Sequence, residues 1–90
     1  MYYVYILYSE KHEKFYIGQT DNLEFRIKRH NEGKIQSTKA YRPWKLKYYE
    51  EFDSRGEAMS REKFLKKQKN KKFYIKLIGS SIGRVPSARD

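Results

Sequence analysis

Residues 2–19, YYVYILYSEKHEKFYIGQ, hold two runs of aromatic and β-branched residues separated by a short polar stretch. Such side chains suit a pleated, half-buried surface. Residues 2–8 and 15–19 are therefore expected to be strands, with SEKHEK as the loop of an antiparallel hairpin. Alternation places Tyr3, Tyr5 and Leu7 on one face and Val4 and Ile6 on the other. In the return strand Tyr16 and Gly18 share a face. A glycine at a strand end implies a bend or a close backbone approach. Beside two phenols, it would leave room for a phosphate.

Working outward, residues 21–32 read as a helix, with Asp21 and Glu24 as a capping pair, Leu23 and Ile27 on a buried stripe, Phe25 at its margin and Gly33 as the stop. Residues 34–44 include Pro43 and read as a basic loop with room for a helical turn. KLKYYEEF, residues 45–52, looks like a third strand. Ser54 and Glu57 form a capping box ahead of a helix over roughly 54–69, and a last amphipathic helix over roughly 71–78 ends at Gly79. One domain, residues 1–78, and a flexible tail, 79–90, are expected.

The chain has 90 residues, no cysteine and a net charge of +10. That length suits one compact domain with a small core, and fifteen aromatics (nine Tyr, five Phe, one Trp) are its expected filling. Disulfides and Cys-based zinc sites are excluded. No apolar run approaches the ~20 residues of a membrane helix, so the expectation is a soluble, cytoplasmic protein with no membrane partner. The positive charge is concentrated. Residues 26–47 hold eight Lys/Arg against Glu32, and residues 61–76 hold eight against Glu62. The other three segments come to −2, −3 and +1. Two basic blocks that could converge on one face suggest a polyanion, most often nucleic acid, although a solvated basic surface has the same composition.

Glu62 lies four residues after Ala58 and three before Leu65, on the stripe expected to meet the sheet. A carboxylate there is costly to bury without a partner. Pairing with a Lys or Arg is the commoner outcome. The alternative is a ligand for a hard divalent cation. Arg26 and His30, one turn apart, share a helix face. An Arg fork can hold a phosphate, and an imidazole can move protons. Tyr5 and Tyr16 are weak signals singly. A phenol has an ordinary pKa of about 10 and needs positive charge or a metal nearby to act as a base, which the basic block and a metal at Glu62 could provide.

Those residues in that order resemble the GIY-YIG nuclease family. Tyr3-Val4-Tyr5 stands where the family has Gly-Ile-Tyr, Tyr16-Ile17-Gly18 matches the second element in full, and ten residues separate Tyr5 from Tyr16. Arg26, His30 and the acid Glu62 within EAMSREKFLK follow in the family's order. Gln19 departs from the lysine that follows the glycine in the nuclease domain of the bacterial excinuclease. The similarity runs from residue 2 to about 70 and is greatest to small stand-alone members. It implies an α+β fold, a three-stranded antiparallel sheet flanked by helices. It also implies phosphodiester hydrolysis with one Mg²⁺ or Mn²⁺ on Glu62. In that scheme Arg26 neutralises phosphate charge, Tyr5 takes a proton from water with His30 assisting or substituting, and Tyr16 orients. Gly18, Lys28, Arg29, Lys34, Lys39, Arg42, Lys66 and Lys67 are the expected substrate contacts. DNA is the expected substrate, and a second copy of the chain or a protein partner could supply specificity. Two other classes stay open: a non-catalytic nucleic-acid-binding module with the same fold, and a basic structural or ribosome-associated protein.

Overall fold

The computed structural model describes residues 1–80. Strand β1 (Tyr2–Ser9) and strand β2 (Lys14–Thr20) form the expected hairpin, its turn passing through Glu13 at φ 51°. Strand β3 (Lys45–Phe52) pairs with the other side of β1, so the sheet order is β2-β1-β3, antiparallel throughout. Tyr5 faces Gly18 across one ladder and Tyr49 across the other, and a register shift between Ile6 and Leu7 bulges the β1–β3 pairing.

Three helices and a 3₁₀ turn cover the sheet: α1 (Leu23–Asn31), the turn Lys39–Tyr41, α2 (Arg55–Gln68) and α3 (Lys71–Ser80). As the central strand, β1 is covered on both faces. Val4, Tyr5, Ile6 and Leu7 are all fully buried. Val4 and Ile6 pack with Ile17, Tyr48, Ala58 and Leu65 of α2, and Tyr74 of α3. Tyr5 and Leu7 pack with Trp44, Tyr16, and Leu23 and Ile27 of α1. The two-faced alternation read from the hairpin thus becomes two small cores, each completing one face of the same strand. Each fully buried aliphatic side chain contributes about 1.5–3 kcal/mol.

Polar contacts fasten the layers. Arg61 on α2 grips Glu50 on β3 with two bonds of 2.9 Å, and the Tyr48 hydroxyl donates to the same carboxylate. The Tyr74 hydroxyl donates to the Leu65 carbonyl at 2.7 Å, tying α3 to α2. Ser54 caps α2 by accepting from the Glu57 amide, as its capping box implied.

Three local expectations are corrected. Asn22, not Asp21, caps α1, its Oδ1 accepting from the Phe25 amide. Thr20 Oγ1 accepts from the Asn22 amide, so the cap moves one residue on and the helix starts at Leu23 instead of residue 21. Phe25 is 55% exposed rather than marginally buried, because the inward stripe of α1 is Leu23, Ile27 and His30. Gly79 does not stop α3, which continues to Ser80. Among the described glycines only Gly33, just past α1, adopts the positive φ (79°) of a helix-terminating glycine. The tail expected at 79–90 falls, from residue 81 on, outside the described residues.

Gly18 makes a tight cross-strand fit. A Cβ there would lie 2.5 Å from the Tyr5 hydroxyl oxygen and 2.7 Å from Tyr5 Cζ. The buried Tyr5 ring has nowhere to retreat, so Gly18→Ala is expected to cost about 1–3 kcal/mol in urea unfolding. Gly56→Ala, with nothing within 4 Å of the added methyl, should be neutral or slightly stabilising in the same measurement.

Candidate active site

The hairpin and α1 bring Tyr5, Tyr16 and His30 together. Ring centroids are 5.8 Å apart for Tyr5 and His30, 5.0 Å for Tyr16 and His30, and 6.3 Å for the two tyrosines. Gly18 is what permits this, but by a different route from the expected one. The space above it is filled by the Tyr5 and Tyr16 rings and is not open to a phosphate.

His30 is fully buried. Its Nε2 meets the Tyr5 hydroxyl at 2.9 Å and its Nδ1 meets Thr38 Oγ1 at 2.7 Å. Thr38 Oγ1 also lies 3.4 Å from the Ile35 carbonyl, which can only accept. The chain closes consistently when Thr38 donates to Ile35, His30 Nδ1–H donates to Thr38, and Tyr5 donates to His30 Nε2. Two shifts agree with this assignment. Burial, with the Arg26 charge adding to it, lowers His30 to about 4. Burial raises the Tyr5 phenol to about 12, against the opposing influence of Arg26, while Tyr16 and Glu62 push it further up. At neutral pH the imidazole is therefore neutral and the phenol keeps its proton. Arg26 alone does not acidify Tyr5, because desolvation outweighs it.

Arg26 stands near enough to influence both Tyr5 and His30. It enters none of the ion pairs found among the described residues, and its Nε is buried without a hydrogen-bond partner. Glu62 reaches the same cluster from α2. Its side chain is 21% exposed, it bears electrostatically on Tyr5, and it pairs with Lys66 at 3.0 Å. Lys66 Nζ in turn lies 6.0 Å from the Tyr16 ring centre. The ion-paired reading of Glu62 is thus realised without removing the carboxylate from the cluster.

No group of three or more His, Cys, Asp or Glu side chains that could enclose a metal occurs among the described residues. One accessible carboxylate is compatible with Mg²⁺ or Mn²⁺ held mostly by water and phosphate oxygens, not with a caged zinc. Of the basic residues expected at a substrate, Lys28 is exposed and pairs with Glu32. Arg29 lies over Phe25, and Arg42 donates to the Lys39 carbonyl while its guanidinium sits over Gly33. Lys34, Lys39 and Lys67 are exposed.

Sequence reading missed the residues that hold this arrangement from behind. Thr38 is 1% exposed. Trp44 donates its indole N–H to the Thr38 carbonyl at 2.9 Å. Asn31 clasps the Trp44 backbone in both directions, at 2.6 and 3.0 Å. Together they press the 34–44 segment onto α1. A lone Trp in a polar loop was the available signal, since such a ring is seldom left in water.

A family model described as the GIY-YIG catalytic domain matches residues 1–75. The chain belongs to the GIY-YIG family. Among similar proteins, a UPF0213 protein of Clostridium perfringens is 48% identical over 77 residues, covering 83% of this chain and 82% of that one. One from Bacillus licheniformis is 45% identical over 76 residues, covering 81% and 77%. The UPF0213 protein YazA of Bacillus subtilis is 41% identical over 68 residues, covering 72% and 69%. No solved structure gives a significant match. This GIY-YIG chain thus resembles small proteins of its own size. No described helix is long and apolar enough to cross a membrane.

The depressed His30 pKa carries a stability consequence. The unfolded imidazole, near 6.5, binds a proton that the folded one refuses until about pH 4. Stability from this group is complete above pH 6.5 and is lost as pH falls toward 4. Urea-unfolding free energies should drop by about 1.5 kcal/mol between pH 6.5 and pH 5. His30→Gln should remove that part of the slope.

Proposed function

We propose that this protein is a divalent-metal-dependent nuclease that hydrolyses phosphodiester bonds, with DNA as the favoured substrate. The observation that carries the reading is Arg26. It is a guanidinium with no carboxylate partner among the described residues, an unused Nε donor and a position beside a Tyr–His pair. An uncompensated buried donor of that kind awaits an anion, and a phosphate matches its planar fork.

In this scheme Arg26 binds the scissile phosphate and neutralises charge that builds in the transition state. Tyr5 takes a proton from the attacking water while passing its own to His30 Nε2. The hydroxide adds to phosphorus, the 3′-oxygen leaves, and solvent returns a proton to it. His30 is as buried as the phenol it is hydrogen-bonded to, and acts only through it. Tyr16 orients the phosphate or the water. Glu62, once released by Lys66, is the residue that would hold Mg²⁺ or Mn²⁺; when bound, the ion supplies positive charge at the phosphate and leaving oxygen. The negative charge of the phosphate lowers the cost of an imidazolium beside Arg26. Lys28, Arg29, Lys34, Lys39, Arg42, Lys66 and Lys67 are proposed contacts to flanking phosphates, with Gly18 supporting the site through Tyr5. Specificity would come from these contacts, a second copy of the chain or a protein partner, and the cytoplasm is the proposed setting.

The high phenol pKa and the Glu62–Lys66 pair favour one competing reading, a nucleic-acid-binding module that keeps the fold without cleaving. A nicking assay separates the two, using branched, nicked and single-stranded DNA, and RNA, with Mg²⁺ or Mn²⁺. The nuclease reading expects cleavage that falls at least about 100-fold in Tyr5→Phe, Arg26→Ala and Glu62→Gln. Binding without cleavage of any substrate, unaffected by all three changes, establishes the module instead.

A further inference from the structure

Strand β2 is an edge strand, and a groove of about 500 Å³ opens beside it. Four lysines line this groove: Lys14 from the hairpin, Lys66 from α2, and Lys69 and Lys71 from either side of the α2–α3 junction. Glu13 is the single acid in the lining. Lys14, Lys69 and Lys71 enter none of the ion pairs found among the described residues. The groove borders the candidate active site: Tyr16 belongs to both, and Lys66 is also the partner of Glu62.

Folding accounts for Lys66, paired with Glu62, and for Lys14, whose Nζ lies 4.8 Å from the Tyr41 ring centre, but gives a poor account of Lys69 and Lys71. Asn70 caps α3 through its side-chain oxygen, and the helix's first turn contains no acid. Lys71 and Lys72 therefore sit at the positive end of the helix dipole, where cations are unfavourable. Lys69 adds a third charge from a left-handed backbone position at φ 46°. A polyanion in the groove would relieve the repulsion at Lys69 and Lys71. The groove has the volume of a small-molecule cleft, enough for a few unpaired nucleotides. The Tyr16 ring is half-buried, and what it exposes in the groove lining is a surface for base stacking beside Lys66.

We propose that this groove holds a single-stranded stretch of nucleic acid, the unpaired flank of the phosphate bound at Arg26, with Lys14, Lys66, Lys69 and Lys71 on its phosphates and Tyr16 against a base. That the strand flanks a scissile phosphate rests on the nuclease reading; the single-strand site does not.

The test is metal-free binding by fluorescence anisotropy, between 50 and 200 mM salt, with single-stranded and duplex oligonucleotides of both DNA and RNA. Lys69→Ala/Lys71→Ala is compared with Lys63→Ala/Lys76→Ala, which removes the same charge from exposed positions outside the groove. For one or both polymers, the single strand should bind more tightly than its duplex. The groove pair should lower the log–log salt slope for the single strand by about 1.4, so that the wild type's advantage shrinks about sevenfold across that salt range. The outside pair should change the slope by less than half as much. Equal slopes in the two pairs, or duplex bound as tightly as single strand for both polymers, would overturn the proposal. Cleavage is measured separately. A groove effect in a protein that cuts nothing removes the nuclease reading alone, and cleavage with equal slopes removes the groove alone.

Discussion

Much of this structure depends on one cross-strand fit, the Tyr5 ring over Gly18. Tyr5 lies on the central strand, fully buried, and a side chain at position 18 would occupy its place. Because that place is empty, the ring can lie against Tyr16 and bring its hydroxyl to His30. His30 in turn draws Thr38 inward, and Thr38 receives Trp44. A single glycine on β2 thereby permits the contacts through which α1 and Thr38 and Trp44 of the 34–44 segment meet on that face of the sheet.

The same burial sets the electrostatics. Removing a phenol and an imidazole from water pushes both toward their neutral forms, so the Tyr5–His30–Thr38 chain is a neutral hydrogen-bonded relay. The charges stand at its edge, with Arg26 lacking a counterion among the described residues and Glu62 held by a lysine. Such a centre is poised for a ligand that brings its own negative charge. Without one, positive charge beside a neutral imidazole and an unused buried donor both subtract from stability.

Elements governed by neighbouring residues were legible in advance. The hairpin followed from two aromatic runs, and α2 from Ser54 and Glu57 around the Ala58–Leu65 stripe. Elements governed by distant contacts were not. The loop containing Thr38 and Trp44 has no periodicity, and its conformation is imposed by α1 through Asn31 and His30. Asp21 and Asn22 are both good capping residues, and a hydrogen bond from the Asn22 amide to Thr20 decides between them. Phe25 has the composition of a core residue, yet α1 presents it to water because Leu23, Ile27 and His30 meet the sheet.

By itself the sequence determined the strand-and-helix order, the two-faced central strand, the family, and the identities of Tyr5, Tyr16, Arg26, His30 and Glu62 as the group worth watching. Those features reside in spacing and side-chain type, which a linear chain displays. Only the tertiary structure decided how they relate: that the space over Gly18 belongs to a ring, that a buried His30 is hydrogen-bonded to Tyr5, and that Lys66 holds Glu62. It also decided that lysines from the hairpin and from the α2–α3 junction line one groove. Burial and distance control pKa and charge compensation, and both arise only when segments far apart in sequence pack together.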